Sequence, residues 1–229
     1  MPDEESQHRH ILTFNFRQGR NKPRHDEAFA RLWPRYGLEW TPEDGRIDTA
    51  ALFGRTAPLV LEIGSGNGEA AAAMADADRG RDLLAVEVYP QGIADLMDRA
   101  EERGLDNLRI YQGDALPLLW RGLAPESLDE VRVYFPDPWP KKRHHKRRII
   151  QAEHVATLAG LLHSDGLFHC ATDIADYAEQ MLDVLTAEPT LENTEDGFAA
   201  RPDRRPVTKF ERRGVKAGRD IFDLVFRKK

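Results

Sequence analysis

The sequence predicts an α/β protein: a mostly parallel sheet with helices on both faces and an antiparallel strand pair at its C-terminal end. From residue 58, short apolar runs alternate with helical patterns, which is the rhythm of βαβ units. The first apolar run leads into a glycine-rich loop and then a helical pattern, as in parallel sheets that bind a ligand at their strand ends. The last forty or so residues lack this rhythm, and they alternate as an antiparallel pair would.

The individual elements follow from these runs. Five predicted strands are Leu59–Ile63, Leu83–Val88, Leu108–Tyr111, Glu130–Phe135 and Leu167–Ala171. Four predicted helices are Glu69–Asp78, Gly92–Glu102, Ile149–His163 and Asp176–Ala187. The terminal pair is predicted at Phe210–Val215 and Ile221–Arg227, joined by a short connection that contains Gly218.

The 229 residues suit one domain, predicted over residues 26–229, preceded by a flexible basic arm at residues 1–25. No apolar run approaches eighteen residues, so no membrane span is expected. The N-terminus has no apolar signal core, which favours a cytoplasmic protein. A single cysteine, Cys170, excludes an internal disulfide and a cysteine-based zinc cluster, and its apolar surroundings are typical of a core residue.

The distribution of charge is more informative than the net charge of −6. Residues 201–229 contain eleven Lys or Arg and four Asp or Glu, a local charge of +7. Residues 174–200 contain seven acidic and no Lys or Arg residues. The acidic total argues against non-specific binding of polyanions over the whole surface, whereas the basic segments could converge on one face.

The glycine loop after the first predicted strand indicates a cofactor site. Gly64, Gly66 and Gly68 leave bare backbone against which a ligand can lie. The position where a dinucleotide fingerprint has its third glycine holds Glu69, whose carboxylate would repel a pyrophosphate. Acidic Glu62, inside the strand, instead suits a cofactor with a cationic tail, such as S-adenosylmethionine.

Further acidic residues occur at or after the ends of the next strands. The carboxyl ends of parallel strands converge on the ligand crevice, so these side chains are expected to lie close together. Glu87 could accept hydrogen bonds from both ribose hydroxyls, and Asp114 from an adenine amine. Asp137 and Asp173 follow the next two strands. The alternative is that each acid caps the helix after its strand.

The segment from Tyr134 to Ile149 is the most distinctive of the chain. Three prolines are expected to hold Asp137 and Trp139 in a rigid, extended turn, and six Lys or Arg residues follow between 141 and 148. The carboxylate could bind the edge of a flat heteroaromatic ring, and the cationic run suits a polyanion that carries such a ring. Nucleic acid has both features. The run could instead be a solvated charged face or a nuclear-localisation-like tract. Trp139 could stack on a base or wall the donor pocket, and Asp137 could merely cap the turn.

These motifs resemble the class I S-adenosylmethionine-dependent methyltransferases, and more closely the bacterial tRNA (guanine-N7-)-methyltransferase family. The most specific motif is the run from Phe135 to His144, and weaker matches extend from Phe16-Arg17-Gln18-Gly19-Arg20 to Thr208-Lys209-Phe210-Glu211. Tyr89 stands where the family usually has histidine, and so does Arg219. The resemblance implies a Rossmann-like, mostly parallel seven-stranded sheet and methylation of the variable-loop guanine, position forty-six, of tRNA.

The resemblance also implies a role for individual residues. The donor-binding residues would be Glu62, Gly64, Gly66, Glu87, Asp114 and Asp137, with Asp137 also catalytic. The residues that hold the substrate guanosine would be Lys141, Asp173, Thr208, Lys209, Phe210 and Glu211. The RNA-contacting residues would be Arg143, His144, His145, Lys146, Arg147 and Arg148. No metal is expected, since His144 and His145 have diverging side chains and no nearby acidic or thiol partner.

Two other functions compete with a tRNA methyltransferase. A methyltransferase for a small molecule or protein would give the basic run no purpose, and a silent RNA-binding module would not need the donor-site acids and glycines. The expected protein therefore uses S-adenosylmethionine, binds tRNA, does not enter a membrane, and is a monomer or homodimer.

Overall fold

The structure, a computed structural model, describes residues 11–15 and 22–229. Its helices are α1 (Pro23–Tyr36), α2 (Thr49–Phe53), α3 (Glu69–Ala77), α4 (Pro90–Glu102), α5 (Ala115–Pro117), α6 (Ala152–Leu161), α7 (Ala175–Ala187) and α8 (Lys209–Lys216). Its strands are β1 (Gly37–Leu38), β2 (Leu59–Ile63), β3 (Asp82–Glu87), β4 (Leu108–Gln112), β5 (Leu128–Tyr134), β6 (Leu162–Thr172), β7 (Leu191–Asn193) and β8 (Phe222–Lys228).

These strands form one sheet in the order β1-β4-β3-β2-β5-β6-β8-β7. The six strands from β1 to β6 run parallel, and β8 lies antiparallel to both β6 and β7. The predicted α/β class is confirmed, with one strand more than the seven expected. The additional strand is β1, two residues long, and such a short run carries no sequence pattern.

Helices cover both faces of the sheet, which explains why β2 and β3 are buried along their whole length. On one face, Leu32 of α1, Ala71 of α3 and Ile93 of α4 pack against the central strands. On the other face, Leu116 of α5, Val155 of α6 and Met181 of α7 do the same. Cys170 is fully buried in this second layer, as the sequence indicates.

The predicted strand at Phe210–Val215 is wrong, because this segment is helix α8. Thr208 caps the helix by accepting a hydrogen bond from the backbone nitrogen of Glu211, 3.2 Å away. Its two buried residues, Glu211 and Gly214, are three apart, which is a helical rather than a strand period. The antiparallel partner of β8 at the sheet edge is instead β7.

The predicted helix Ile149–His163 begins later, at Ala152. The basic run before it forms a 3₁₀ turn over Lys142–Arg147, and Ile149 and Ile150 are buried between the two. β6 therefore starts at Leu162, five residues earlier than expected. This arrangement places the basic turn directly after β5, at the carboxyl edge of the sheet.

The predicted arm at residues 1–25 lies mostly outside the described residues. Its last three residues, Pro23 to His25, belong to α1, and His25 is buried there. Among the described residues, no helix combines the length and the apolar character that crossing a membrane requires.

Candidate functional site

A cleft opens at the carboxyl edge of the sheet, with an empty space of about 1090 Å³ including its mouth. Its floor comes from the end of β2 and the loop after it, and its sides from the ends of β3, β4 and β5. The entry to α8 and the short segment of Thr13 and Phe14 complete the wall. The predicted convergence of strand ends is therefore present in the structure.

Two glycines shape the loop between β2 and α3, one inside the loop and one on the helix α4 that packs against it. Gly66 has a φ of 57°, a left-handed conformation that side-chain-bearing residues rarely adopt. Gly92 of α4 approaches so closely that a β-carbon there would lie 2.3 Å from the carbonyl oxygen of Gly66. The loop is thus held tightly against α4, while the cleft side of Gly64 is open backbone.

Glu62 lines the cleft and is 2 % exposed, and its Oε2 atom has no hydrogen-bond partner. Burial raises the pKa of this carboxyl to about 7, although the charge of Arg132 acts in the opposite direction. A buried acceptor without a partner is costly unless a ligand satisfies it. A cationic donor such as an ammonium group fits this position, because it would supply both the hydrogen bond and the opposite charge.

Glu87, at the end of β3, organises the adjacent loops through its carboxylate. It accepts hydrogen bonds from the backbone nitrogens of Gly66 at 2.7 Å, Val88 at 2.6 Å and Tyr89 at 2.9 Å. Burial raises the pKa of Glu87, these three hydrogen bonds oppose the rise, and the charge of Asp137 adds to it. Glu87 and Asp137 both line the cleft.

Asp114 does not itself line the cleft, although its neighbours Gly113 and Ala115 do. Its side chain caps α5 by accepting a hydrogen bond from the backbone nitrogen of Leu116 at 3.1 Å. The observed contact of Asp114 is thus the helix cap that the sequence offered as an alternative to donor binding. A role in donor binding stays a prediction for this residue.

Asp137 and Pro136 line the cleft on the turn after β5, and Asp137 is exposed to it. The prolines predicted an extended turn, but two residues of the turn are not extended. Phe135 has a φ of 50° and Trp139 a φ of 45°, and each precedes a proline. Positive φ at a bulky residue is unfavourable and is found where the surrounding structure enforces it, often at functional sites. The two positions bracket Asp137 in the chain.

Trp139 is not among the residues that line the cleft. Its indole nitrogen donates a hydrogen bond to the carbonyl oxygen of Thr13 at 3.0 Å, and the guanidinium of Arg147 lies 4.9 Å from its ring centre. The hydroxyl of Tyr89 donates to the carbonyl oxygen of Asn15. We call residues 11–15 the strap, because these two side chains fasten it beside the cleft, and Thr13 and Phe14 are part of the cleft wall.

The basic turn is mostly exposed, but Arg148, one of the predicted RNA contacts, is buried. Arg148 is 1 % exposed, and its guanidinium donates to the carbonyl oxygen of Pro138 at 2.8 Å, to Gln180 at 2.6 Å and to Asp176 at 2.7 Å. These contacts brace the turn from inside, and an RNA contact by Arg148 stays a prediction. The exposed cations are Lys141, Lys142, Arg143 and Lys146, and the side chains of His144, His145 and Arg147 are half-buried.

Two of the predicted guanosine-binding residues line the cleft, and several of the others are engaged within the protein. Thr208 and Phe210 line the cleft, and Phe210 is 50 % exposed rather than part of the core. Lys209 is exposed. Asp173 pairs with Arg219 at 2.7 Å, and buried Glu211 pairs with Arg205.

Three features escaped the sequence analysis. The strap has no pattern that distinguishes it from a loop. Tyr134, which lines the cleft, lies inside the predicted strand Glu130–Phe135, where nothing marks it as a site residue. Arg205, His169 and Asp223 form a buried polar network whose members are far apart in the chain, so only tertiary structure brings them together. Among the described residues, no cluster of three or more His, Cys, Asp or Glu side chains could hold a metal ion.

The chain resembles known methyltransferases in sequence. The model of a family described as "Putative methyltransferase" matches residues 56–224. The tRNA (guanine-N(7)-)-methyltransferase of Nitrosospira multiformis is 49% identical over 227 residues, which cover 99% of this chain and 98% of that protein. The protein of the same name from Dechloromonas aromatica is 50% identical over 220 residues, which cover 96% of this chain and 89% of that protein.

Solved structures share the fold at much lower identity. The 16S rRNA methyltransferase KamB superposes with a TM-score of 0.60 at 15% identity and covers 84% of this chain and 95% of its own. A 16S rRNA (adenine(1408)-N(1))-methyltransferase from Catenulisporales acidiphilia, solved with its cosubstrate SAM, has a TM-score of 0.55 at 14% identity. That alignment covers 83% of this chain and 92% of the other. At this identity the likeness shows the fold alone.

Proposed function

This chain belongs to the tRNA (guanine-N(7)-)-methyltransferase family, and from that premise we propose that it transfers the methyl group of S-adenosylmethionine to N7 of the variable-loop guanine, position forty-six, of tRNA. The observation that carries the proposal is that one cleft contains both a site for a cationic group and a turn suited to a nucleobase. Glu62, with a buried acceptor atom that has no partner, and Asp137, on the proline-rich turn that leads to the basic run, line the same cleft.

The donor side fits S-adenosylmethionine through the chemistry of its groups. Glu62 would hold the cationic amino group of the methionine tail, and Gly64 and Gly66 would leave space beside it. Glu87 keeps lone pairs for the ribose hydroxyls, although its carboxylate already accepts three backbone hydrogen bonds. Asp114, next to cleft residues Gly113 and Ala115, is the candidate for the adenine amine. When bound, S-adenosylmethionine supplies an electrophilic methyl group on its sulfonium.

On the acceptor side, the protein needs to orient guanine rather than activate it. N7 of guanine has an in-plane lone pair and loses no proton on methylation, so no strong general base is required. Catalysis then rests on positioning and on electrostatic stabilisation. Asp137 would accept hydrogen bonds from the N1 and N2 edge of guanine and stabilise the positive charge that develops on the ring.

The remaining acceptor-side residues would hold the nucleoside and its RNA. Thr208 and Phe210 line the cleft, and Lys141 and Lys209 would contribute positive charge from the two sides of its mouth. Asp173 and Glu211 are held by Arg219 and Arg205, so they would act through the position of α8 rather than as free acceptors. The exposed cations of the basic turn would contact the RNA backbone.

A methyltransferase for a small molecule or protein is the alternative enzyme, and a catalytically silent RNA-binding module is the alternative binding protein. The purified protein should transfer tritium from labelled S-adenosylmethionine to unmodified tRNA. Borohydride reduction and aniline treatment should then cleave the product at a single variable-loop guanine, because this chemistry cuts at 7-methylguanosine.

Transcripts in which the variable-loop guanine is replaced by adenine are the matched control and should take up no label. Label without aniline cleavage, or cleavage at another position, would contradict the proposal. The cytoplasmic location and the monomeric or homodimeric state expected from the sequence stay predictions.

A further inference from the structure

A buried polar network runs from the wall of the cleft to helix α8 across three strands. The hydroxyl of Tyr134 on β5 lies 2.9 Å from Nδ1 of His169 on β6, and Nε2 of His169 lies 2.7 Å from Oδ1 of Asp223 on β8. The Asp223 carboxylate can only accept, so Nε2 of His169 carries the proton and Nδ1 accepts from Tyr134. All three side chains are at most 7 % exposed.

Arg205 closes this network and connects it to α8. Its guanidinium donates to both oxygens of Asp223, from Nε and Nη2, at 2.7 Å each. Its third nitrogen, Nη1, donates to Glu211 in the first turn of α8. The side chain of Arg205 is completely buried, so these contacts form without competition from water.

The same guanidinium also contacts the turn that carries Asp137. It lies 5.8 Å from the ring centre of Tyr134 and 5.7 Å from that of Phe135, the residue with positive φ. One side chain therefore contacts both acceptor-side walls of the cleft, which are the turn after β5 and the entry to α8.

Helix α8 has little apolar packing that could hold it in place instead. Its only buried residues are Glu211 and Gly214, while Phe210 is 50 % and Val215 is 60 % exposed. The position of this helix therefore depends on its ionic contacts, of which the one to Arg205 is fully buried and the one between Glu69 and Arg212 is partly exposed.

We propose that Arg205 is a positioning residue that fixes the distance between the Phe135–Asp137 turn and the Thr208–Phe210 entry to α8, and so the width of the acceptor side of the cleft. Arg205 makes no direct contact with Glu62 or with the backbone groups that donate to Glu87. Loss of Arg205 should therefore impair use of the acceptor and leave donor binding intact. This inference rests on the proposed function.

The first test compares Arg205→Lys with Arg204→Lys. Lysine keeps the charge but lacks the planar fork that contacts Asp223 and Glu211 together. Arg204 is the matched control, because it neighbours Arg205, is 37% exposed and contacts Glu130 at 3.5 Å. Calorimetry measures binding of S-adenosylhomocysteine, and steady-state kinetics measure kcat and KM for unmodified tRNA.

We expect Arg205→Lys to bind S-adenosylhomocysteine within about twofold of the unaltered protein and to lose about 10–100-fold in kcat/KM for tRNA, as a misplaced reacting group does. Arg204→Lys should match the unaltered protein in both measurements. An equal loss of S-adenosylhomocysteine binding, or an unchanged kcat/KM, would overturn the proposal. If Arg205→Lys is insoluble, Asp223→Asn, which weakens the same fork, is measured with the same two criteria.

The second test is chemical rescue. In Arg205→Ala, added methylguanidinium should restore at least about a tenth of the lost kcat/KM for tRNA, since it can occupy the vacated space and re-form the fork contacts. A folded Arg205→Ala protein that binds S-adenosylhomocysteine but gains no activity would contradict positioning by this group. Failure of the proposed function would look different, because the unaltered protein itself would then not label tRNA.

Discussion

Glu69 and Arg212 form a two-pronged ion pair beside the mouth of the cleft, although 143 residues separate them in the chain. Nη2 of Arg212 lies 2.8 Å from one carboxylate oxygen of Glu69 and 3.1 Å from the other, and the backbone nitrogen of Lys209 donates to Glu69 at 2.9 Å. Burial acts to raise the pKa of Glu69, but these hydrogen bonds outweigh it and lower the pKa. The residue that replaces the third glycine of a dinucleotide loop thus anchors α8.

Glu69→Gln should weaken this anchor without unfolding the protein. The pair is partly exposed and so contributes less than about 1 kcal/mol, which predicts a rise of up to about fivefold in KM for tRNA with little change in Tm. Asp76→Asn is the control, since Asp76 lies on the same helix as Glu69 and forms an exposed pair with Arg79 at 2.6 Å. Equal kinetics of the two variants would show that the anchor does not influence tRNA use.

The buried carboxyl of Glu62 should make ligand-free protein less stable as the pH rises. Its pKa is raised from 4.5 to about 7 in the folded state, so the folded protein binds the proton more tightly than the unfolded chain does. The resulting stability is complete below pH 4.5 and is lost as the pH rises through about 7, by roughly 3 kcal/mol in total. Glu62→Gln should remove this dependence in thermal melts, and melts that keep the same pH dependence would contradict it.

Donor binding should follow pH in the opposite direction. An ammonium group pairs with the carboxylate form of Glu62, so S-adenosylhomocysteine should bind more weakly below pH 7, by up to about tenfold per pH unit. Calorimetry at a series of pH values around 7 measures this change in the affinity for S-adenosylhomocysteine. In Glu62→Gln, binding should be weak at every pH, and a binding curve that is flat in the unaltered protein would refute the assigned partner.

Asp137→Asn should lose methyl transfer while it keeps the donor. Removal of one electrostatic stabiliser of a transition state typically costs about 10²–10³-fold in kcat. Binding of S-adenosylhomocysteine should fall far less than turnover does, since Glu62 and Glu87 still hold the donor. Asp183→Asn, an exposed carboxylate on α7, is the control. Near-normal turnover of Asp137→Asn with unmodified tRNA would remove Asp137 from the mechanism.

Salt dependence should separate the exposed basic turn from the buried Arg148. Replacing Arg143 and Lys146 together by Gln should reduce the slope of log K against log salt by about 1.4–1.8, because each phosphate contact contributes about 0.7–0.9. Arg148→Gln should leave the slope unchanged and lower the free energy of unfolding by at least about 2 kcal/mol, since its charged hydrogen bonds are internal. A flatter slope in Arg148→Gln would restore Arg148 as an RNA contact.

The strap should retain the donor product. Trp139→Phe and Tyr89→Phe each remove one hydrogen bond to the strap, which at about 1 kcal/mol predicts about fivefold faster release of S-adenosylhomocysteine in stopped-flow measurements. Trp120→Phe is the control, because its indole is 48 % exposed on the surface. Release rates equal to the control would show that the strap does not close over the donor.

Local patterns were sufficient for much of the fold and the site. Runs rich in apolar residues identified β2 to β6, because strands covered on both faces are mainly apolar. The convergence of Glu62, Glu87 and Asp137 followed from a general property of parallel sheets. The identity of α8 did not follow, since a short, highly charged segment fits both a strand and a helix period, and its cap and its partners decide between them.

The sequence by itself determined the class of fold, the family and the edge of the sheet at which the acidic residues meet, because each depends on neighbours in the chain. Only tertiary structure decided that Arg148 faces inward, that Glu69 anchors α8 and that Arg205 joins three strands to a helix. Such contacts depend on which side chains, distant in the chain, lie together in the folded protein. A charged group that is buried there needs a partner within the protein, whereas an exposed one can bind a ligand.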